Sequence, residues 1–168
     1  MEIERKYLIK ELPEDFSSFP CHQIEQAYLS TQPVIRIRHL NDEYILTYKS
    51  DGLLARQEVE LPLTKEAYNH LLPKADGTII SKTRYVIPLT DVLQIELDVF
   101  HGSLSGFIMA EVEFPTLEMA ESFTPPVWFG EDVTLNPAFH NSNLSAMEAM
   151  DREKFLYTLK RDGYFTTL

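Results

Sequence analysis

Charged side chains spaced two residues apart recur along this chain from its first residues onward. That spacing constrains the fold more than any other feature of the sequence. Met1-Glu2-Ile3-Glu4-Arg5-Lys6 opens the series. Side chains alternate faces along a strand, so Glu2, Glu4 and Lys6 share one face, spread over about 13 Å at roughly 3.3 Å per residue. The device returns at Arg36-x-Arg38, Arg56-x-Glu58-x-Glu60, Lys82-x-Arg84, Glu96-x-Asp98 and Glu111-x-Glu113, and Thr47-x-Lys49 carries a single charge at the same spacing. Apolar residues such as Ile35 and Ile37, Ile95 and Leu97, or Ala110 and Val112 fill the opposite face. Each segment therefore reads as a strand with one charged and one apolar side.

Turn signals separate the segments. Asn41-Asp42, Asp51-Gly52, Asp76-Gly77 and Asp91 each mark a reversal. Eight strands are predicted, over 2–9, 23–29, 34–38, 44–49, 54–61, 79–88, 92–100 and 107–114, joined mostly as hairpins and hence antiparallel. Thr64 is placed to cap a helix that Pro73 stops, and residues 116–122 read as a second short helix. Ser145-x-x-Glu148 has the spacing of a capping box for a last helix reaching about Leu159. Residues 13–22 read as a loop or short helix, and the stretch from Trp128 to Asn143 as loop-rich.

Two architectures fit this pattern. One packs the apolar sheet face on the helices and leaves the charged face in water. The other closes the sheet into a barrel with a charged interior, for which eight strands enclose a lumen about wide enough for side chains or one small ligand. A charged lumen is costly unless its groups are paired or hold ions and a ligand. Its candidates are the acids Glu2, Glu4, Glu58, Glu60, Glu96, Asp98, Glu111 and Glu113, against the bases Lys6, Arg36, Arg38, Lys49, Arg56, Lys82 and Arg84. The bare set is one negative charge from balance, and two divalent cations would turn it positive enough for a polyanion of roughly −4 to −5, such as a triphosphate. Oxygen donors with no clustered histidines point to Mg²⁺ or Mn²⁺, one or two ions, rather than zinc.

The chain has 168 residues, 44% of them apolar, which suits one domain over 1–168 with a proper core. A net charge of −11 argues against nucleic acid or an anionic membrane as partner. Lone Cys21 excludes an internal disulfide framework and a cysteine zinc site. No apolar run approaches the length of a membrane span, and the expectation is a soluble cytoplasmic protein.

The ordered set of motifs resembles the CYTH superfamily, the triphosphate tunnel metalloenzymes. Glu2-x-Glu4-x-Lys6 is similar to the family's ExExK signature, and the later charged pairs follow in the family's order. The run from Phe129 to Thr134 resembles the region after the last tunnel strand. The resemblance implies an α+β fold, an eight-stranded antiparallel tunnel with a few helices outside. It implies a small-molecule triphosphate held by Lys6, Arg36, Arg38, Lys49, Arg56, Lys82 and Arg84. It implies divalent metal at Glu2, Glu4 and Glu113 first, then Glu111 and Asp98, with Glu58, Glu60 and Glu96 binding a second ion or orienting the bases. Glu2, Glu4, Lys6, Arg56 and Lys82 are the implied catalytic set.

The foremost implied activity is hydrolysis of inorganic tripolyphosphate. Thiamine or nucleoside triphosphate hydrolysis, cyclisation of ATP, and non-catalytic polyphosphate binding are the alternatives on the same scaffold. Self-association into a homodimer is left open. Tyr28 is expected at the tunnel mouth or in the core. Trp128, Phe129 and Phe139 are expected either to stack on an organic group or to cover the core.

Overall fold

The computed structural model describes residues 1–164. Among these, the strands are β1 (Glu2–Ile9), β2 (Cys21–Thr31), β3 (Val34–Leu40), β4 (Glu43–Lys49), β5 (Ala55–Arg56), β6 (Glu58–Pro62), β7 (Asp76–Pro88), β8 (Gln94–Phe100), β9 (Ile108–Glu113) and β10 (Phe129–Asp132). The helices are α1 (Lys65–Leu71), α2 (Leu117–Ser122), α3 (Asn141–Ala146) and α4 (Ala149–Arg161). All strand pairs are antiparallel, in the order β10-β1-β9-β8-β7-β2-β3-β4-β6, with β5 also on β1.

That last pairing nearly closes the sheet into a barrel. The stretch predicted as one strand over 54–61 changes partner at Gln57. Arg56 pairs with Glu2 of β1, whereas Glu58 pairs with Lys49 of β4. At the break, Gln57 exchanges hydrogen bonds of 2.9 Å with Ser50 instead of a ladder partner. The free edge of β1 is thus divided: β5 covers Glu2 and Ile3, and β10 pairs near Tyr7 and Ile9. The expected eight-stranded tunnel is present, with β10 added.

Period two holds on the inner face, but its chemistry changes along each strand. Leu8 follows Lys6, Met109 precedes Glu111, Phe100 follows Asp98, and Ile80 precedes Lys82. These four join Tyr28, Val34, Phe139, Leu144 and Leu159 in one buried cluster, with Met147 and Phe155 packed against it. One end of the barrel is therefore filled by α3, α4 and apolar residues, so the charged stretch becomes a pocket with a floor. A second cluster joins Tyr7, Leu97, Val112 and Phe114 to Ala120 of α2, and a third joins Ile37 to Tyr68 of α1.

Thr64 caps α1 as read from the sequence, accepting from the Ala67 amide at 3.1 Å, and Thr116 caps α2 in the same way at 3.2 Å. The capping box at 145–148 does not form. Ser145 lies inside α3, buried, and donates to the Thr78 carbonyl at 2.5 Å, while Glu148 caps α4 without a side-chain bond. Burial of the Ser145 hydroxyl against β7 removes the serine from the helix end. Residues 128–143 are also more ordered than expected, because β10 completes the edge of β1 and α3 plugs the barrel. Trp128, Phe129 and Phe139 belong to this packing: Trp128 lies edge-on to Phe129 at 4.7 Å, and Phe139 contacts Phe107 and Phe155. No described helix is long and apolar enough to cross a membrane.

Candidate active site

The charged inner face encloses a cavity of about 320 Å³. Every acid and base named from the sequence lines it except Asp98, which is wholly buried and held by Lys82 and Arg84. The groups sort into three regions.

The first is a belt of paired charges. Lys82 donates to Asp98 at 2.7 Å, and Arg84 grips the same carboxylate with two bonds of 2.7 and 2.8 Å. Arg84 also reaches Glu96 at 2.6 Å and Glu111 at 3.3 Å. Lys6 sits between Glu4 at 3.0 Å and Glu111 at 3.2 Å. Lys49 holds Glu2 at 2.9 Å and Glu58 at 3.5 Å, and Arg56 reaches Glu2 at 3.4 Å and Glu4 at 3.9 Å. Burial opposes ionisation of Asp98 and Glu111, yet the facing cations win: Arg84 and Lys82 hold Asp98 below its ordinary pKa, and Lys6 and Arg84 hold Glu111 well below. Burial brings Lys82 down to about 8, with Asp98 working to raise it.

The second region is a wall of uncancelled positive charge on β3. Arg36 donates to Thr47 at 3.1 Å, its nearest carboxylate is Glu60 at 3.9 Å, and its Nε is buried without a partner. Arg38 has no ion pair among the described residues and donates instead to the side-chain oxygen of Gln26, from Nε at 2.8 Å and Nη2 at 2.6 Å. Burial, then Arg36 and Arg84, push Arg38 down to about 9, which still leaves it charged at neutral pH.

The third region is a crowd of carboxylates. Burial and then Glu2, Glu96, Glu58 and Glu4 push Glu113 up to about 7. Burial and contact with Glu58 raise Glu2, and burial raises Glu96 against the pull of Arg84. Five carboxylates competing to stay ionised form an oxygen-donor set that fits a hard divalent cation. No ready-made group of three ligands exists among the described residues; the fit lies in the charge and the donor type.

Neighbouring elements fix these side chains. The Lys6 amide donates to Thr134 at 3.0 Å, and Thr134 is in turn held by Asp132, which pairs with Arg5 on the outer face. Tyr28 lies in the apolar floor and lines the cavity. Gln26, His140, Asn141 and Ser142 escaped the sequence reading. Gln26 shares a face with Tyr28 at period two, but a neutral side chain gives no charge signal. Asn141 donates nothing to the local pattern: it reaches Lys82 at 3.1 Å across a separation of 59 residues.

A nearly closed antiparallel wall, floored at one end and lined by guanidiniums and carboxylates, defines a β-tunnel protein with a charged lumen. The chain belongs to the CYTH domain family, whose profile matches residues 1–123. It is 39% identical over 148 residues to the inorganic triphosphatase of Nitrosomonas europaea, covering 86% of this chain and 96% of that protein. Its identity to the inorganic triphosphatase of Acetivibrio thermocellus is 27% over 146 residues, 85% of this chain and 92% of the relative. A crystal structure of an inorganic triphosphatase superposes with a TM-score of 0.66 at 36% identity, covering 88% of this chain and 96% of that one.

Proposed function

We propose that this protein hydrolyses inorganic tripolyphosphate inside the tunnel, with one or two divalent cations, Mg²⁺ or Mn²⁺. The observation that carries the reading is the pair Arg36 and Arg38, buried with only Glu60 at 3.9 Å from the first and no ion pair at the second among the described residues, in a cavity that Glu113, Glu2, Glu58 and Glu96 also line. A chain of phosphates with bound cations matches that polarity; a lone anion or a lone cation matches only half of it. The names of the two curated relatives support the same substrate.

Arg36 and Arg38 hold phosphate oxygens, the free edge of each guanidinium making charge-assisted hydrogen bonds. Lys82 and Arg84, already sharing Asp98, extend that grip with weaker net charge. Lys6, Lys49 and Arg56, each paired with acids that line the same cavity, meet the oxygens on which charge builds as water attacks the terminal phosphorus and the bridging P–O bond breaks. Glu2, Glu4 and Glu113, then Glu111, and Glu58 with Glu60 are the carboxylates that would hold the cations, whereas Asp98, buried away from the cavity against Lys82 and Arg84, orients those bases instead. A cation held there would supply charge to orient the phosphates and to lower the pKa of a water.

The reading includes residues 1–168 acting as one domain, since α3 and α4 supply the tunnel floor, and a cytoplasmic location, to which the exposed free thiol of Cys21 is suited. The test is phosphate release from tripolyphosphate, thiamine triphosphate and ATP side by side, with Mg²⁺, Mn²⁺ or EDTA, and detection of cyclic AMP. Fast release from tripolyphosphate that EDTA abolishes is expected. A cyclic product from ATP would make the protein a cyclase, and tight binding without release would make it a polyphosphate holder.

A further inference from the structure

We infer that Gln26 is a positioning residue that aims the Arg38 guanidinium into the tunnel without cancelling its charge, and that Asn141 anchors Gln26 and ties it to Lys82. The inference rests on the tunnel being a tripolyphosphate site, and it concerns how that site keeps positive charge available.

The tunnel contains its own comparison. Arg84 donates from Nε at 2.7 Å and from Nη2 at 2.8 Å to the two oxygens of Asp98. Arg38 uses the same two nitrogens, at 2.8 and 2.6 Å, but its acceptor is the amide oxygen of Gln26. Both forks are therefore fixed in direction by a side-chain oxygen from a neighbouring strand. Only one of them is neutralised, because a carboxylate brings a full negative charge and an amide brings none. Arg38 spends two of its five N–H donors on Gln26 and keeps the others and its whole charge for a ligand.

Gln26 is itself held so that its oxygen points at Arg38. The two residues are directly opposite in the β2–β3 ladder. The Gln26 amide nitrogen donates to the Tyr28 hydroxyl at 3.1 Å and to the Asn141 side-chain oxygen at 3.3 Å, and the residue is fully buried. Reversing the amide would set its NH₂ against a guanidinium, so the network admits one orientation. The Asn141 oxygen also accepts from Lys82 at 3.1 Å, beside that lysine's bond to Asp98. Two amides thus join two cations from the strands that flank β2, and α3, which lies beyond the residues matched by the family profile, supplies one of the amides.

Amide-to-acid changes test this with almost no change of shape. Gln26→Glu and Asn141→Asp each add one negative charge at an oxygen that already accepts from the cation. Tripolyphosphate binding by calorimetry, hydrolysis kinetics and melting temperature are measured on the wild type and both variants. The expected result is that Kd and KM of Gln26→Glu rise at least tenfold, kcat changes less, and the melting temperature does not fall. Asn141→Asp is expected to shift the same way and carries the test if Gln26→Glu fails to fold. Kd and KM within twofold of wild type in a folded amide-to-acid variant would overturn the inference, since a residue that merely fills hydrogen bonds would move stability alone. Wild-type protein that neither binds nor hydrolyses tripolyphosphate would instead overturn the tripolyphosphate reading, and with it any role for Gln26 toward that ligand.

Discussion

Replacing Arg38 by alanine removes a guanidinium whose charge no carboxylate shares. A charge-assisted contact of this kind contributes about 1.5–3 kcal/mol. KM for tripolyphosphate is therefore expected to rise roughly 10- to 100-fold, with a lower rate wherever the contact tightens as charge develops. Unchanged steady-state kinetics would remove Arg38 from the ligand. His140 carries a prediction about stability. Burial first, and then Lys6 and Arg56, push its pKa down to about 4 from an ordinary 6.5. The unfolded chain takes up that proton more readily than the folded one, so the neutral buried imidazole contributes stability that is present above about pH 6.5 and lost as the pH falls toward 4. In His140→Gln the loss of melting temperature between pH 7 and pH 4.5 is expected to be smaller than in the wild type. An equal loss in both would assign the acid sensitivity to the carboxylates alone.

At the scale of elements, the contact between β7 and α3 decides whether the tunnel has a floor. Gly77 has φ +68°, and a Cβ there would stand 2.4 Å from the Ser145 carbonyl oxygen. Gly77→Ala must strain the backbone and move α3 together, a cost of about 1–3 kcal/mol for the strain. A lower melting temperature and a raised KM are expected, because α3 carries Asn141 away from Lys82. Gly102 supplies the control: φ is +62° with nothing within 4 Å of a built Cβ. Gly102→Ala shares the backbone cost, lacks the clash, and is expected to leave KM unchanged. Equal KM values in the two variants would mean that α3 does not bear on the site.

For the whole molecule, the floor cluster ties the first strand to the last helix. Leu8 of β1, Met109 of β9, Leu144 of α3 and Leu159 of α4 are buried together. Barrel and C-terminal helices are therefore expected to unfold in one transition. Trp128 fluorescence reports the β10 side and far-UV circular dichroism the whole chain, and their denaturation midpoints should coincide. Two separated midpoints would mean that the residues after the matched region form a unit of their own.

The charged faces, and through them most of the residues around the cavity, were legible in the sequence because the two-residue period is local, while the tunnel itself was implied by the family resemblance that the order of the motifs carries. A strand cannot place Glu2, Glu4 and Lys6 on one face without its backbone being extended, whatever surrounds it. What period two leaves open is whether that face meets water or a lumen, and only the pairing of Arg56 with Glu2, across more than fifty residues, closes the wall. The division of labour within the lumen was likewise out of reach. Arg84 and Arg38 look equivalent in the sequence, yet one meets Asp98 and the other Gln26, because strand register sets which oxygen stands opposite each fork. Local alternation determined which residues face inward; long-range register decided which of their charges remain free to hold a ligand.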